Sequence, residues 1–156
     1  MSREALATYL NDHLAGSVGA VELVERTIEQ NEGNELARIL AEVVSQIREE
    51  QQMLRDLLGR IDAGEDRLKK AGAWLAEKAG RLKLGDTGSE SLARMEALEA
   101  LAIGIQGKLA LWRALRRVED RYPEIAALDL PHLERRGQAQ FERVDACRLE
   151  AAGEAF

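Results

Sequence analysis

The residues best placed to do chemistry in this sequence are polar side chains at positions where a helix would bury an apolar one. Glu50 interrupts the apolar spacing of the second predicted helix, and His13 continues the heptad line of Leu6 and Leu10 in the first. In an antiparallel hairpin centred near positions 32 and 33, Glu50 falls at the height of Ala15, close to His13. The spacing therefore predicts a carboxylate and an imidazole that face each other inside the first hairpin.

A third polar residue, Gln106, is predicted to join them. Counting a second hairpin about Ala126 places Gln106 near Ala146 and Cys147, at the middle of the helices. His13, Glu50 and Gln106 are then expected to form one buried polar layer.

The predicted burial of Glu50 requires a partner, because an unpaired buried carboxylate costs several kcal/mol or titrates at a much higher pH. Three interpretations are open: a hydrogen bond to His13 that fixes the helix register, a metal or ligand site built on Glu50 and His13, or a helix rotation that turns one of the two to solvent. A metal needs at least three converging ligands, and the helix seams offer few nitrogen and carboxylate donors. We therefore expect no metal and no other cofactor.

Long helices must position these residues, because apolar side chains recur at helical spacing along most of the chain and only two prolines occur. Gly33 and Asn34 are typical of a helix end followed by a helix start, and Pro123 and Asp129 separate the third long helix from the fourth. The predicted helices cover residues 3–31, 34–60, 91–121 and 130–152.

The third of these helices is apolar on nearly all sides and is predicted to be the most buried. Its inward face comprises Leu98, Leu101, Ala102, Ile105, Leu109 and Trp112. Glycines lower helix propensity at positions 104 and 107 of this helix and at positions 16 and 19 of the first. We expect a neighbouring helix to approach closely at these glycines.

The connection between the two hairpins, residues 62–90, is predicted to carry a shorter helix over residues 65–84. This organisation predicts a single all-α domain over residues 1–156, a four-helix bundle with a crossover, and an up-down-up-down bundle is the alternative topology. The connecting helix carries a basic face on which Lys69, Lys70 and Lys78 surround Trp74, a possible surface for a protein partner.

The overall charge excludes several classes of partner. A formal charge of -6 disfavours binding to nucleic acids and to anionic membranes. The first residues lack the apolar segment of a signal peptide, and a single cysteine cannot form an internal disulfide. We expect a cytoplasmic protein that binds neither nucleic acid nor membrane, and that forms a homo-oligomer or binds a protein partner.

The two long hairpins with a crossover, the segment 47–58, and Glu142 followed by Asp145 resemble the ferritin-like superfamily, in particular its uncharacterised bacterial members. The resemblance covers the four long helices but not the connecting one, and it implies a ferritin-like four-helix bundle. In that superfamily two Glu-x-x-His pairs and two single glutamates hold a di-iron centre. Here Met53 stands three residues after Glu50, and Asp145 three after Glu142, so both paired histidines are missing. The resemblance implies the fold and argues against ferroxidase activity.

The leading interpretation is a ferritin-like protein without a standard di-iron centre that acts as a binding or structural protein. One alternative is an enzyme, a metal-dependent oxidase or oxygen-reactive protein that holds iron or manganese at an atypical site on Glu50 and His13. Another is a helical adaptor for a protein partner. The sequence identifies neither substrate nor reaction, so enzymatic activity stays open.

Overall fold

The computed structural model describes residues 2–61 and 89–156, and within these ranges all regular structure is helical, with no strand. The long helices are α1 (Arg3–Gln30), α2 (Glu35–Ile61), α3 (Glu90–Val118) and α5 (Leu130–Ala155). A 3-10 turn (Glu119–Arg121) and the short helix α4 (Pro123–Ala126) connect α3 to α5. The all-α prediction and its four long helices are confirmed, whereas the helix predicted over residues 65–84 lies outside the described residues.

The helix ends follow from local capping chemistry. Helix α1 ends at Gln30 with Asn31 as its C-cap, and Gly33 adopts a φ of 81° in the turn that follows. The Asn34 side chain accepts the Ala37 N–H at 3.0 Å and starts the second helix. The side chains of Ser89 and Asp129 cap α3 and α5 in the same way. These caps fix the positions at which the long helices begin.

The directions of the long helices follow from their ion pairs. Arg3, at the start of α1, lies 2.8 Å from Glu124, just beyond the end of α3, so α1 and α3 are antiparallel. Glu42 of α2 lies 2.7 Å from Arg143 of α5, and these two helices also run antiparallel. Since α1 and α2 form a hairpin, α2 and α3 point in the same direction. The end of α2 and the start of α3 therefore lie at opposite ends of the helices, as the crossover topology requires and the up-down-up-down alternative does not.

Two apolar clusters stabilise the helices, one toward each end. The first cluster includes Leu10, Leu57, Trp112 and Leu130, and the second includes Val24, Leu40, Ile105 and Val144. The predicted inward face of α3 is buried throughout, from Leu98 to Trp112. The prediction that α3 is the most buried helix is wrong, because ten residues of α2 are buried against eight of α3. None of the helices within residues 2–61 and 89–156 is long and apolar enough to cross a bilayer.

Candidate functional site

Glu50 is the charged residue most deeply buried between the two apolar clusters, with 1% of its surface exposed. Its Oε2 accepts a hydrogen bond from Nζ of Lys108 on α3. Its Oε1 accepts one from Nε2 of Gln140 on α5 at 3.2 Å and lies 3.4 Å from Nε of Arg136. The predicted burial of Glu50 is confirmed, and both of its oxygens have partners from other helices.

Lys108 is the cation that pairs with this carboxylate, and its side chain is only 14% exposed. Its Nζ also donates to Oε1 of Gln140, so the ammonium bridges α2 and α5. Burial lowers the pKa of Lys108 most strongly, the neighbouring Glu50 carboxylate raises it, and Arg136 lowers it further. The ion pair with Glu50 therefore offsets only part of the desolvation that the ammonium experiences on burial.

Gln140 completes the network, which we call the polar bridge: Glu50, Lys108 and Gln140. The Gln140 side chain is buried, and its Nε2 donates to Oε1 of Gln46 at 2.8 Å as well as to Glu50. Because its amide both donates and accepts, it bonds the anion and the cation of the bridge at once. Three helices are therefore joined at mid-height by one hydrogen-bonded unit.

Arg136 adds a second cation beside the bridge. Its guanidinium donates to Oε2 of Glu49 at 2.7 Å, while its Nε is buried and has no hydrogen-bond partner among the described residues. The side chain of Glu49 is 58% exposed, so water screens this outer pair. Glu50, Lys108 and Arg136 together, one carboxylate and two cations, therefore have a net positive charge.

An open cavity of about 230 Å³ lies beside the polar bridge, between α1, α2 and α3. Its apolar wall is formed by Ala20, Ile47, Leu54, Leu101, Ile105 and Leu111. Glu50 and Lys108 contribute to the same wall, together with the polar residues Asp12, His13, Ser17 and Gln51. Nε2 of Gln51 donates to Oγ of Ser17 at 3.0 Å, which joins α1 to α2 at the cavity.

Glycines keep this cavity open. Gly16 of α1 and Gly104 and Gly107 of α3 line it, and a Cβ atom added at any of the three would meet no atom within 4 Å. The expectation of close helix approach at these glycines is therefore wrong. Larger side chains there would extend into the cavity instead.

His13 lines the same cavity as Glu50 but does not bond to it. The imidazole packs edge-on against Tyr9, with the ring centroids 4.7 Å apart, and no hydrogen bond joins His13 to Glu50 in the described chain. Burial lowers the pKa of His13, and the adjacent Asp12 partly opposes that shift. The predicted pairing of Glu50 with His13 is wrong, because Lys108 and Gln140 occupy both carboxylate oxygens.

The prediction that Gln106 belongs to the buried polar layer is wrong, because its side chain is exposed on α3. The third long helix ends at Val118, and the 3-10 turn and α4 shift the centre of the second hairpin to about position 124. Lys108, rather than Gln106, is then level with Gln140. The predicted partner surface around Trp74, Lys69, Lys70 and Lys78 lies outside the described residues.

Two members of the polar bridge were missed, although the sequence carries a signal for both. Lys108 falls between Ile105 and Trp112 at steps of three and four, and Gln140 falls between Gly137 and Val144 in the same way. Both positions lie on apolar seams, where a polar side chain must find a buried partner. This spacing identifies them as strongly as it identifies Glu50.

The donor set at this position does not fit the di-iron centre that a ferritin-like fold implies. An ammonium and a guanidinium beside Glu50 carry no lone pair for a metal ion, and the oxygen of Gln140 already accepts from Lys108. In residues 2–61 and 89–156 there is no group of three or more His, Cys, Asp or Glu side chains that could hold a metal. The polar bridge occupies the space between the helices with its own counter-ion.

Comparison of the sequence with protein-family models gives no match, and neither the curated proteins nor the solved structures contain a match to this chain.

Proposed function

We propose that this chain is a ferritin-like helical binding protein without a standard di-iron centre, and that it takes up a small, mainly apolar molecule in the cavity between α1, α2 and α3. The cavity of about 230 Å³ beside the polar bridge carries the proposal.

The ferritin-like part of the proposal is supported by topology. One long crossover between two helical hairpins is a feature of ferritin-like bundles, and the parallel directions of α2 and α3 agree with it. The ion pair of Glu50 with Lys108 supports the loss of iron, because a cation stands where a metal ion would need a ligand.

The binding part of the proposal is supported by the composition of the cavity wall. An engineered apolar cavity of about 150 Å³ takes up benzene, so the larger cavity here has room for a molecule of one or two rings. Aliphatic side chains supply most of its wall, and Ser17, Gln51 and Lys108 add polar groups that would orient a ligand. The small wall residues Gly16, Gly104 and Gly107 leave this volume free.

Titration calorimetry with indole tests the proposal on the whole chain. We expect saturable binding at one site, and we expect Gly104→Leu to abolish it because the leucine side chain extends into the cavity. Gly59→Leu is the matched control, since Gly59 is also an exposed helical glycine with no atom within 4 Å of an added Cβ, but it does not line the cavity. Absence of saturable binding, or equal binding by both variants, would refute the proposal.

A further inference from the structure

The lysines of this chain are unusually distributed. Five of the 22 basic residues are lysines, and four of these fall between positions 69 and 83. Throughout residues 2–61 and 89–156 the surface cations are arginines, and the single lysine is Lys108. Within the described residues, the one cation that lines the cavity is thus a lysine rather than an arginine.

A lysine is a chemically specific choice at this position. For a buried ion pair with a carboxylate, arginine offers a planar set of donors that matches the partner and stays charged. A lysine ammonium in the same place loses its proton more readily on burial, and the free amine is a nucleophile toward carbonyl carbon. Desolvation does lower the pKa of Lys108. In addition to its pairing with Glu50 and Gln140, a lysine here therefore offers a nucleophilic nitrogen that an arginine would not.

We propose that Lys108 captures a small apolar aldehyde in the cavity by forming a protonated imine, with Glu50 as the proton carrier and counter-ion. The inference rests on the proposed binding function, because the aldehyde has to enter the same cavity. Its apolar body would contact residues such as Leu101 and Ile105, while its carbonyl group meets the polar end of the wall at Lys108.

The capture step needs no redox partner. The Lys108 ammonium passes one proton to Oε2 of Glu50, and the nitrogen lone pair then forms a bond to the carbonyl carbon. The carbonyl oxygen takes the proton from Glu50, and the attacking nitrogen returns a proton to Glu50, which gives a neutral carbinolamine. Glu50 then protonates the hydroxyl group, and the C–O bond breaks as the nitrogen lone pair forms the C=N double bond. One water leaves, and the nitrogen keeps one hydrogen and its positive charge.

The charge balance of this reaction suits the buried site. An ammonium and an aldehyde become a protonated imine and water, so the number of charges beside Glu50 does not change. The remaining N–H of the imine can still donate to the carboxylate, and Gln140 still donates to it from the other side. The product therefore leaves the buried anion paired, which a neutral adduct would not do.

Reductive trapping tests the inference on the full chain. The protein is incubated with benzaldehyde and sodium cyanoborohydride, and the labelled lysines are located by peptide mass spectrometry. We expect a benzyl group on Lys108, and we expect excess indole to protect this position while the other four lysines label as before. Those four lysines are the internal control for unassisted reaction of an amine.

Two variants give the trapping experiment its controls. Lys108→Arg preserves the charge beside Glu50, so it is expected to fold and to lose the adduct at position 108. Gly104→Leu retains the lysine and fills the cavity, so its Lys108 labelling is also expected to be lost. Indole binding without a benzyl group on Lys108 would refute the proposed imine and leave the proposed binding function standing. Labelling of Lys108 that indole does not reduce would place the reaction outside the cavity and would also refute the inference.

Discussion

Replacing Glu50 with leucine is expected to destabilise the protein by about 4 kcal/mol, the range measured when one partner of a buried ion pair is removed. The change leaves the Lys108 ammonium, 14% exposed, without its counter-ion and removes the inner partner of Arg136. Replacing Lys108 with methionine is expected to cost less, about 2 kcal/mol, because Glu50 keeps the Gln140 N–H and the nearby guanidinium.

The double variant Glu50→Leu, Lys108→Met makes it possible to measure the coupling free energy between the two side chains. It leaves no unpaired charge in the bridge, but Oε1 of Gln140 loses its donor, so a cost of about 3 kcal/mol remains from that acceptor and from imperfect packing. The two single costs sum to about 6 kcal/mol, which gives a coupling free energy of about 3 kcal/mol, at the upper end for residues in contact.

Urea unfolding followed by circular dichroism measures all four proteins, with equal m values required for the comparison. The exposed pair of Glu35 and Arg38 on α2 provides a matched control, for which the same leucine and methionine cycle should give additive costs, because water screens the pair. Additive costs at Glu50 and Lys108, within about 0.5 kcal/mol, would show that the two side chains do not form a buried pair and would refute this account.

Three further predictions concern the residues that surround the bridge. Burial lowers the pKa of His13 from 6.5, so the stability that depends on its neutral imidazole is fully present above pH 6.5 and is lost as the pH falls below it. Denaturant melts at a series of pH values should therefore show a steeper loss of stability toward acid in the wild type than in His13→Gln. Parallel curves for the two proteins would contradict this prediction. Leu109→Ala should cost about 2 to 5 kcal/mol, as for other fully buried leucines, and a loss below about 1 kcal/mol would mean that its face is not buried. A methyl group added at Gly137 would lie 2.9 Å from Cδ2 of Leu109, so Gly137→Ala should destabilise the wild type but stabilise the Leu109→Ala variant, and the same sign in both backgrounds would contradict the contact.

The helices and their buried faces were accessible to prediction because both depend on local spacing. Periodicity assigns the inward face of α3 and the burial of Glu50 without knowledge of any neighbouring helix. Gly33 and Asn34 likewise determine the first turn through their own backbone and side-chain chemistry. These features need only the residues within one or two helical turns.

The same spacing indicates that Lys108 and Gln140 lie on inward faces, but it does not indicate that they pair with Glu50, because that pairing depends on the register of a distant hairpin. Ending α3 at Val118 instead of three residues later moves the centre of that hairpin by about two positions. Each residue turns a helix by about 100°, so Gln106 and Lys108, two positions apart, lie on nearly opposite sides of α3. Gln106 was therefore predicted at a height that Lys108 occupies.

The cavity could not be predicted from the sequence either, because it also depends on the relative positions of distant helices. Glycines at positions 16, 104 and 107 signal either close helix contact or open space, and the sequence does not distinguish the two. The outcome depends on how far α1 stands from α3 at mid-height, which the packing of the apolar clusters on either side determines.

The parallel directions of α2 and α3 also determine the order in which the chain can fold. The hairpin of α1 and α2 closes over a few residues, and so does the pairing of α3 with α5, so each has a low contact order and a small loop-closure entropy. Docking of the first hairpin on the second joins residues far apart in the sequence, up to the 121 positions between Arg3 and Glu124, and is expected to come later. The polar bridge spans both hairpins, so its ion pair forms only in this docking step. Substitutions at Lys108 should consequently accelerate unfolding more than they slow folding.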